Sequence, residues 1–246
     1  MTEVPTDPTA ARQGDTPPAS KVARPSIDDS AWGVPSGEES RWPPVLAVVV
    51  AIGLQVVLPT TLIHGLGPRW LVPAFEGVLL VALLIANPHR VDRAESNLRL
   101  LSLAMIAVIT LANVVALGEL IRALLDSHVS GGRALVFASV PIWITNVIVF
   151  GLWYWELDRG GVTARMLENH RQPDFLFPQM SVPEASPDWA PKFIDYLYVS
   201  FTNATAFSPT DTMPLTSKAK LLMMAQSLAS LLTVALVISR AVNILK

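Results

Sequence analysis

Thr202, Asn203 and Thr205 bring two hydroxyls and an amide to one short stretch of a largely apolar chain, and Asp211 follows just beyond them. Groups of this kind steer or coordinate ions when they face a narrow polar path, and satisfy unwound backbone when they do not. Gln226, Ser227 and Ser230, with Ala225 and Ala229 four apart, give a later apolar run a polar, small-residue face suited either to close helix packing or to a wet pore. Glu76 is the deepest ionisable residue, six positions and about 9 Å of helix rise beyond Trp70. A charge at the centre of a span costs about 2.5–3.5 kcal/mol on insertion scales, so Glu76 is either a cation or proton site or a carboxyl paired to a neighbouring helix. Glu119 and Arg122 stand three apart, the spacing of a local ion pair. Asp211 sits in a Pro-Thr-Asp-Thr turn, where it either supplies negative charge to a pore mouth or bonds its own backbone.

Helices must hold these groups. Crossing a hydrocarbon core of about 30 Å takes roughly 20 mostly apolar residues, and five runs qualify or come close: 44–63, 70–86, 98–125, 134–155 and 215–244. The second is short and would sit thin or tilted. His64-Gly65-Leu66-Gly67-Pro68 and Asn87-Pro88 punctuate the runs, and Trp153, Tyr154 and Trp155 form an aromatic end to the fourth. Phe193–Thr205 is too short and too rich in Ser, Thr and Asn to cross, and the polar turn around Thr210, Asp211, Thr212 and Pro214 lets it dip in and return before the last run. The expected fold is therefore all-α, a polytopic membrane protein with about five transmembrane helices and one re-entrant, pore-type helix before the last span.

The stretch from Tyr198 to Val242 resembles the pore loop and inner helix of the potassium-channel superfamily. Tyr198 and Ser200 fall in the pore helix, Thr205 ahead of the filter, Asp211 just after it, then Pro214 and Thr216, with the inner helix ending at Arg240. The resemblance implies a symmetric homo-oligomer and monovalent cations as partners. It also departs from the family where ion chemistry is most demanding, because the Thr-Val-Gly-Tyr-Gly filter falls on Ala206, Phe207, Ser208, Pro209 and Thr210. A potassium filter aims stacked backbone carbonyls at one axis, and its glycines adopt angles that residues with a Cβ resist. Ser208 and Thr210 occupy both glycine positions, while Pro209 fixes its own φ and steers Ser208 to extended geometry. Potassium selectivity is not expected. The chain is similar instead to bacterial integral membrane families whose C-terminal segment is a degenerate form of the channel module.

Composition sets the class. With 51% hydrophobic and 15% charged residues, the 246-residue chain is far more apolar than a soluble domain, where about 25% are charged. A net charge of −2 with no basic face argues against nucleic acid. The absence of cysteine excludes disulfides and thiol chemistry. His64, His89, His128 and His170 have no metal-ligand spacing, and no nucleophile, phosphate-loop or paired acid/base pattern occurs, so neither an enzyme nor a metal or other cofactor is expected. Residues 1–43, rich in proline and polar residues, cannot bury enough surface to order and are read as a disordered tail. That tail is the feature behind an alternative role, an accessory membrane subunit recruiting a soluble partner. Residues 44–155 form a four-helix region, 156–192 a polar linker broken by Pro173, Pro178, Pro183, Pro187 and Pro191, and 193–246 the pore-type module. Lys and Arg counted near span ends favour a multi-pass protein of the cell membrane with a cytoplasmic N-terminus. Five spans would then open the re-entrant loop toward the cytoplasm, opposite to potassium channels, unless the N-terminus is external or the span count differs.

Overall fold

A computed structural model describes residues 39–59, 68, 70–86, 96–125, 132–166, 172–182, 189–206 and 211–244. The apolar runs become helices: α1 (Trp42–Val57), α2 (Leu71–Ala86), α3 (Ser96–Leu125) and α4 (Gly132–Leu157). After a 3₁₀ turn at Asp158–Gly160 come α5 (Val162–Met166), the two-residue strand β1 (Phe175–Leu176), α6 (Pro178–Ser181), α7 (Phe193–Ala206), β2 (Met213–Pro214) and α8 (Ser217–Ile244). The chain is mostly helical, and α3, α4 and α8 carry stretches long and apolar enough to cross a membrane. At 16 residues each, α1 and α2 are shorter, about 24 Å of rise. Proline at the first turn of α1 is tolerated because the amides there have no intrahelical partner to lose.

Helix α4 is the central strut, with α1, α3, α7 and α8 all packed against it. Ala47, Val48 and Ala51 of α1, Leu80 of α2, Met105, Ile106 and Ile109 of α3 and Ile148, Val149 and Leu152 of α4 form one apolar core. A second core joins Ala116, Leu117 and Leu120 of α3 to Ala138 and Ile142 of α4, with Ala229 and Leu236 of α8 packed against it. Trp153 of α4 donates its indole N–H to the Thr110 hydroxyl of α3 at 2.9 Å.

Between α4 and α7 the helices run antiparallel. Trp155 meets Phe193 edge to face and Trp143 meets Phe201. Gly151 allows the close approach between them, because a Cβ there would stand 3.2 Å from the Leu197 Cα. A third core forms where the chain turns after α4. There Phe150 and Tyr154 pack with Phe175, Phe177, Met180, Tyr196, Val199, Ala219 and Met223. Residues 172–182, part of the stretch read from sequence as a polar linker, carry Phe175, Phe177 and Met180 into this core. The prolines that exclude a long helix leave short elements whose aromatic side chains still turn inward.

The ends of α7 and α8 set up the site. β1 pairs antiparallel with β2, placing Phe175 opposite Pro214 and Leu176 opposite Met213. The chain leaving α7 therefore reaches α8 through a strand anchored beside the end of α4. Helices α7 and α8 meet where Ser200 lies against Gln226, and Asn203 against Met223 and Ser227. Helix α7 is half as long as α8, 14 residues against 28.

Candidate functional site

The polar residues of α7 and α8 face each other across a buried seam, and α4 closes it. Gln226 is fully buried and occupies both ends of its amide: Nε2 donates to the Ser200 carbonyl at 2.9 Å and to its hydroxyl at 2.6 Å, while Oε1 accepts from the Tyr154 hydroxyl at 2.5 Å and from Asn203 Nδ2 at 2.8 Å. Asn203 Nδ2 also donates to the Met223 carbonyl at 3.0 Å, and its Oδ1 accepts from Ser227 Oγ at 3.1 Å. Ser200 Oγ donates to the Val147 carbonyl at 2.6 Å, and Asn146 Nδ2 of α4 donates to Ser230 Oγ at 3.0 Å. Thr202 and Thr205 turn their hydroxyls back onto carbonyls of their own helix, Val199 and Phe201 respectively. Asn203, Gln226, Ser227 and Ser230 thus each find polar partners inside one chain. In an apolar medium such matching fixes helix register, since each slip leaves polar groups without partners.

A second constellation caps this seam at the end where α4 stops. Arg159, Gly160 and Gly161 take successive positive φ angles of 54°, 89° and 105°, a left-handed turn that glycine enters freely and arginine only at a cost of about 1–2 kcal/mol. The turn throws the Asp158 carboxylate inward, where it is fully buried. Its Oδ2 accepts from the Tyr196 hydroxyl of α7 at 2.6 Å and its Oδ1 from the Asp174 backbone N–H at 2.7 Å. Asp174 reciprocates: its Oδ2 accepts from the Arg159 backbone N–H at 3.0 Å, and its Oδ1 accepts from the hydroxyl of Thr216, the residue before α8. The Asp174 carbonyl also accepts from the Leu215 N–H at 2.9 Å. Burial pushes the Tyr196 phenol well above its ordinary range, so it stays a donor. Two aspartates therefore tie together the end of α4, the first turn of α7 and the start of α8.

Arginines supply the opposite charge. Arg159 Nε lies 3.5 Å from Asp158 Oδ2. Arg165 of α5 donates to the Trp155 and Asp158 carbonyls that end α4, where a cation also suits the helix dipole. Its guanidinium lies over the rings of both Trp155 and Tyr196, at 5.9 and 5.2 Å. Arg99 of α3 reaches Glu156 at 3.7 Å.

Glu39 joins this end from the other side of the chain. Its Oε1 accepts from the Phe193 backbone N–H at the start of α7 at 2.6 Å, its two oxygens take up the Trp155 indole N–H, and Oε2 lies 4.0 Å from Arg165 Nη2. A residue placed by sequence in the disordered tail thus caps α7; the expected disorder of residues 1–38 lies outside the described residues. Glu39→Ala is expected to lower stability by about 1–3 kcal/mol, the scale of a charge-assisted bond with a stranded partner. Deleting residues 1–38 should leave melting in detergent unchanged, whereas deleting 1–40 should lower it as the single substitution does.

The remaining sequence candidates are scattered. Glu76 of α2 is fully buried and accepts from Gln55 Nε2 of α1 at 3.2 Å, a contact separate from the α7–α8 hydrogen bonds. Glu119 pairs with Arg122 at 2.6 Å on the surface of α3. Asp211 is exposed, and its Oδ1 accepts from the Thr212 hydroxyl at 3.4 Å. Ala206 is exposed at the end of α7, and Phe207, Ser208, Pro209 and Thr210 lie outside the described residues. Among the described residues no group of three or more His, Asp or Glu is placed to hold a metal. Sequence reasoning missed Glu39, Asp158, Arg159, Arg165, Asp174 and Tyr196. The signals available were the Asp-Arg-Gly-Gly turn directly after an aromatic helix end, and Phe175 and Phe177 among prolines in a stretch otherwise polar. No family model, curated protein or solved structure matches the chain.

Proposed function

We propose that this chain is a pore-loop-type membrane protein in which α7 enters the membrane as a half-helix, the chain is back at the side of entry by Thr216, and α8 then crosses. The observation that carries this reading is the common origin of the two helices: Tyr196 in the first turn of α7 and Thr216 just before α8 bind the same Asp158–Asp174 pair. A 14-residue helix rises about 21 Å, too little to cross a core of about 30 Å. Its polar end, where Asn203 lies beside Met223 and Ser227 of α8 and Thr205 and Ala206 are exposed, then falls at membrane depth. Irregular backbone there needs cover from protein or a wet cavity. Exposed Ile194, Tyr198 and Phe201 on α7 and Leu221, Met224 and Leu228 on α8 offer apolar surface for neighbouring copies, in keeping with a homo-oligomer.

The module does not select potassium. Ser208, Pro209 and Thr210 deny the filter its backbone angles, and Asn203, Gln226 and Ser230 spend their polar groups on partners within one chain, Ser230 on Asn146. Monovalent cations are the class of permeant partner if the assembly conducts. The test is flux in liposomes holding the purified protein and a cation-sensitive dye: potassium and sodium should behave alike. Potassium-over-sodium selectivity in the unmodified protein would overturn the reading, and its appearance only after Ser208→Gly, Pro209→Tyr and Thr210→Gly together would mark the scaffold as a channel relic. Vesicles tight to both ions support a second reading, an accessory membrane subunit. One observation favours it: through Glu39, the base of the N-terminal tail grips the first amide of α7 and the Trp155 indole.

A further inference from the structure

Glu76 takes no part in the α7–α8 seam, yet it is fully buried, and its surroundings are unusually bare. Gln55, one turn beyond the core residue Ala51, presents its amide N–H to Glu76 Oε1 at 3.2 Å. Among the described residues Glu76 Oε2 has no hydrogen-bond partner. Ala51 and Leu80, which flank the pair one turn away on α1 and α2, belong to the apolar core.

Among the described residues no cation answers this carboxyl. Glu76 is the sole ionisable residue of α2, and α1 has none. On α3, which also packs against α2, Arg99 reaches Glu156, and Glu119 and Arg122 hold each other. A carboxylate left with one amide donor in an apolar core is unfavourable, whereas a carboxylic acid fits: Oε1 accepts from Gln55 and Oε2 carries the proton. An alkali or divalent cation would want about six oxygens or more, and the pair supplies at most the two of Glu76 and one amide oxygen. Glu76 lies five residues into α2, about 7 Å from its start, and Gln55 two residues from the end of α1. The site is thus close to the bundle end remote from the Asp158 cluster, within reach of protons from that aqueous face.

We propose that Glu76, seated against Gln55, is a reversible proton-binding site within the α1–α2 pair. Dicyclohexylcarbodiimide, an apolar reagent that adds to protonated carboxyls and leaves an N-acylurea, tests this on the intact protein in liposomes. The adduct, mapped by mass spectrometry of peptides, should fall on Glu76, decline several-fold from acid to alkaline buffer, and be indifferent to sodium and potassium. Glu76→Gln should fold, since its amide oxygen still accepts from Gln55, and should lose the adduct. Gln55→Leu, which removes the amide donor to the ionised form, should extend labelling to more alkaline buffer. An adduct absent from Glu76 overturns the proposal. So does labelling independent of pH, which would make Glu76 a purely structural acid, and so does protection by sodium or potassium, which would make the site one for an alkali cation.

Discussion

Asp158→Ala is expected to prevent the protein from accumulating in folded form. The carboxylate is fully buried and accepts from the Tyr196 hydroxyl and the Asp174 amide, with Arg159 Nε 3.5 Å away. Removing one member of a buried charged network strands the rest, at about 3–5 kcal/mol, which is comparable to the whole stability of many domains. The loss reaches further than its own contacts, because the Asp174 clasp that holds Thr216 depends on the same turn. Asp158→Asn keeps one acceptor oxygen and should fall between wild type and alanine in membrane yield and in melting temperature in detergent. Equal behaviour of wild type and Asp158→Ala would mean that the cluster does not hold the two helix starts together.

Gln226→Leu should be the most damaging substitution along α8. Leucine keeps the volume, so the effect isolates polar matching: the Tyr154 hydroxyl loses its acceptor, the Ser200 hydroxyl and carbonyl lose a donor, and Asn203 loses one of its acceptors. Intramembrane hydrogen bonds average about 0.6 kcal/mol each, and stranded buried groups add to this, for roughly 2–4 kcal/mol in total. Gln226→Asn tests geometry as well as chemistry, since it can match only part of the set and should recover part of the stability. An unchanged melting temperature in Gln226→Leu would favour a wet polar face over a packed one.

Single residues show what could be read in advance. The long helices were legible because runs of apolar residues bounded by Gly, Pro and Asn admit few other structures, and α7 because its length and its Thr, Asn and Ser content set it apart. Asn203, Gln226 and Ser230 could be singled out, but not matched: hydrogen bonds across dozens of residues leave no trace in local periodicity. Trp153, Tyr154 and Trp155 read as one interfacial belt, yet consecutive helix positions point about 100° apart. Their polar groups accordingly reach Thr110 of α3, Gln226 of α8 and Glu39 before α1. Asp158, Arg165 and Asp174 were illegible for a different reason. Charges among prolines resemble solvated loop, and only the fold reveals that each meets a buried partner.

A re-entrant α7 requires α7 and α8 to begin on one side of the membrane. Because the chain has no cysteine, Lys192→Cys and Lys218→Cys, both at exposed positions flanking the module, can each be probed alone with a membrane-impermeant maleimide in sealed vesicles of known orientation. Both cysteines should label from the same side and be protected together when the vesicles are inverted. Labelling of the two from opposite sides would make α7 a spanning helix and contradict the proposed re-entrant plan.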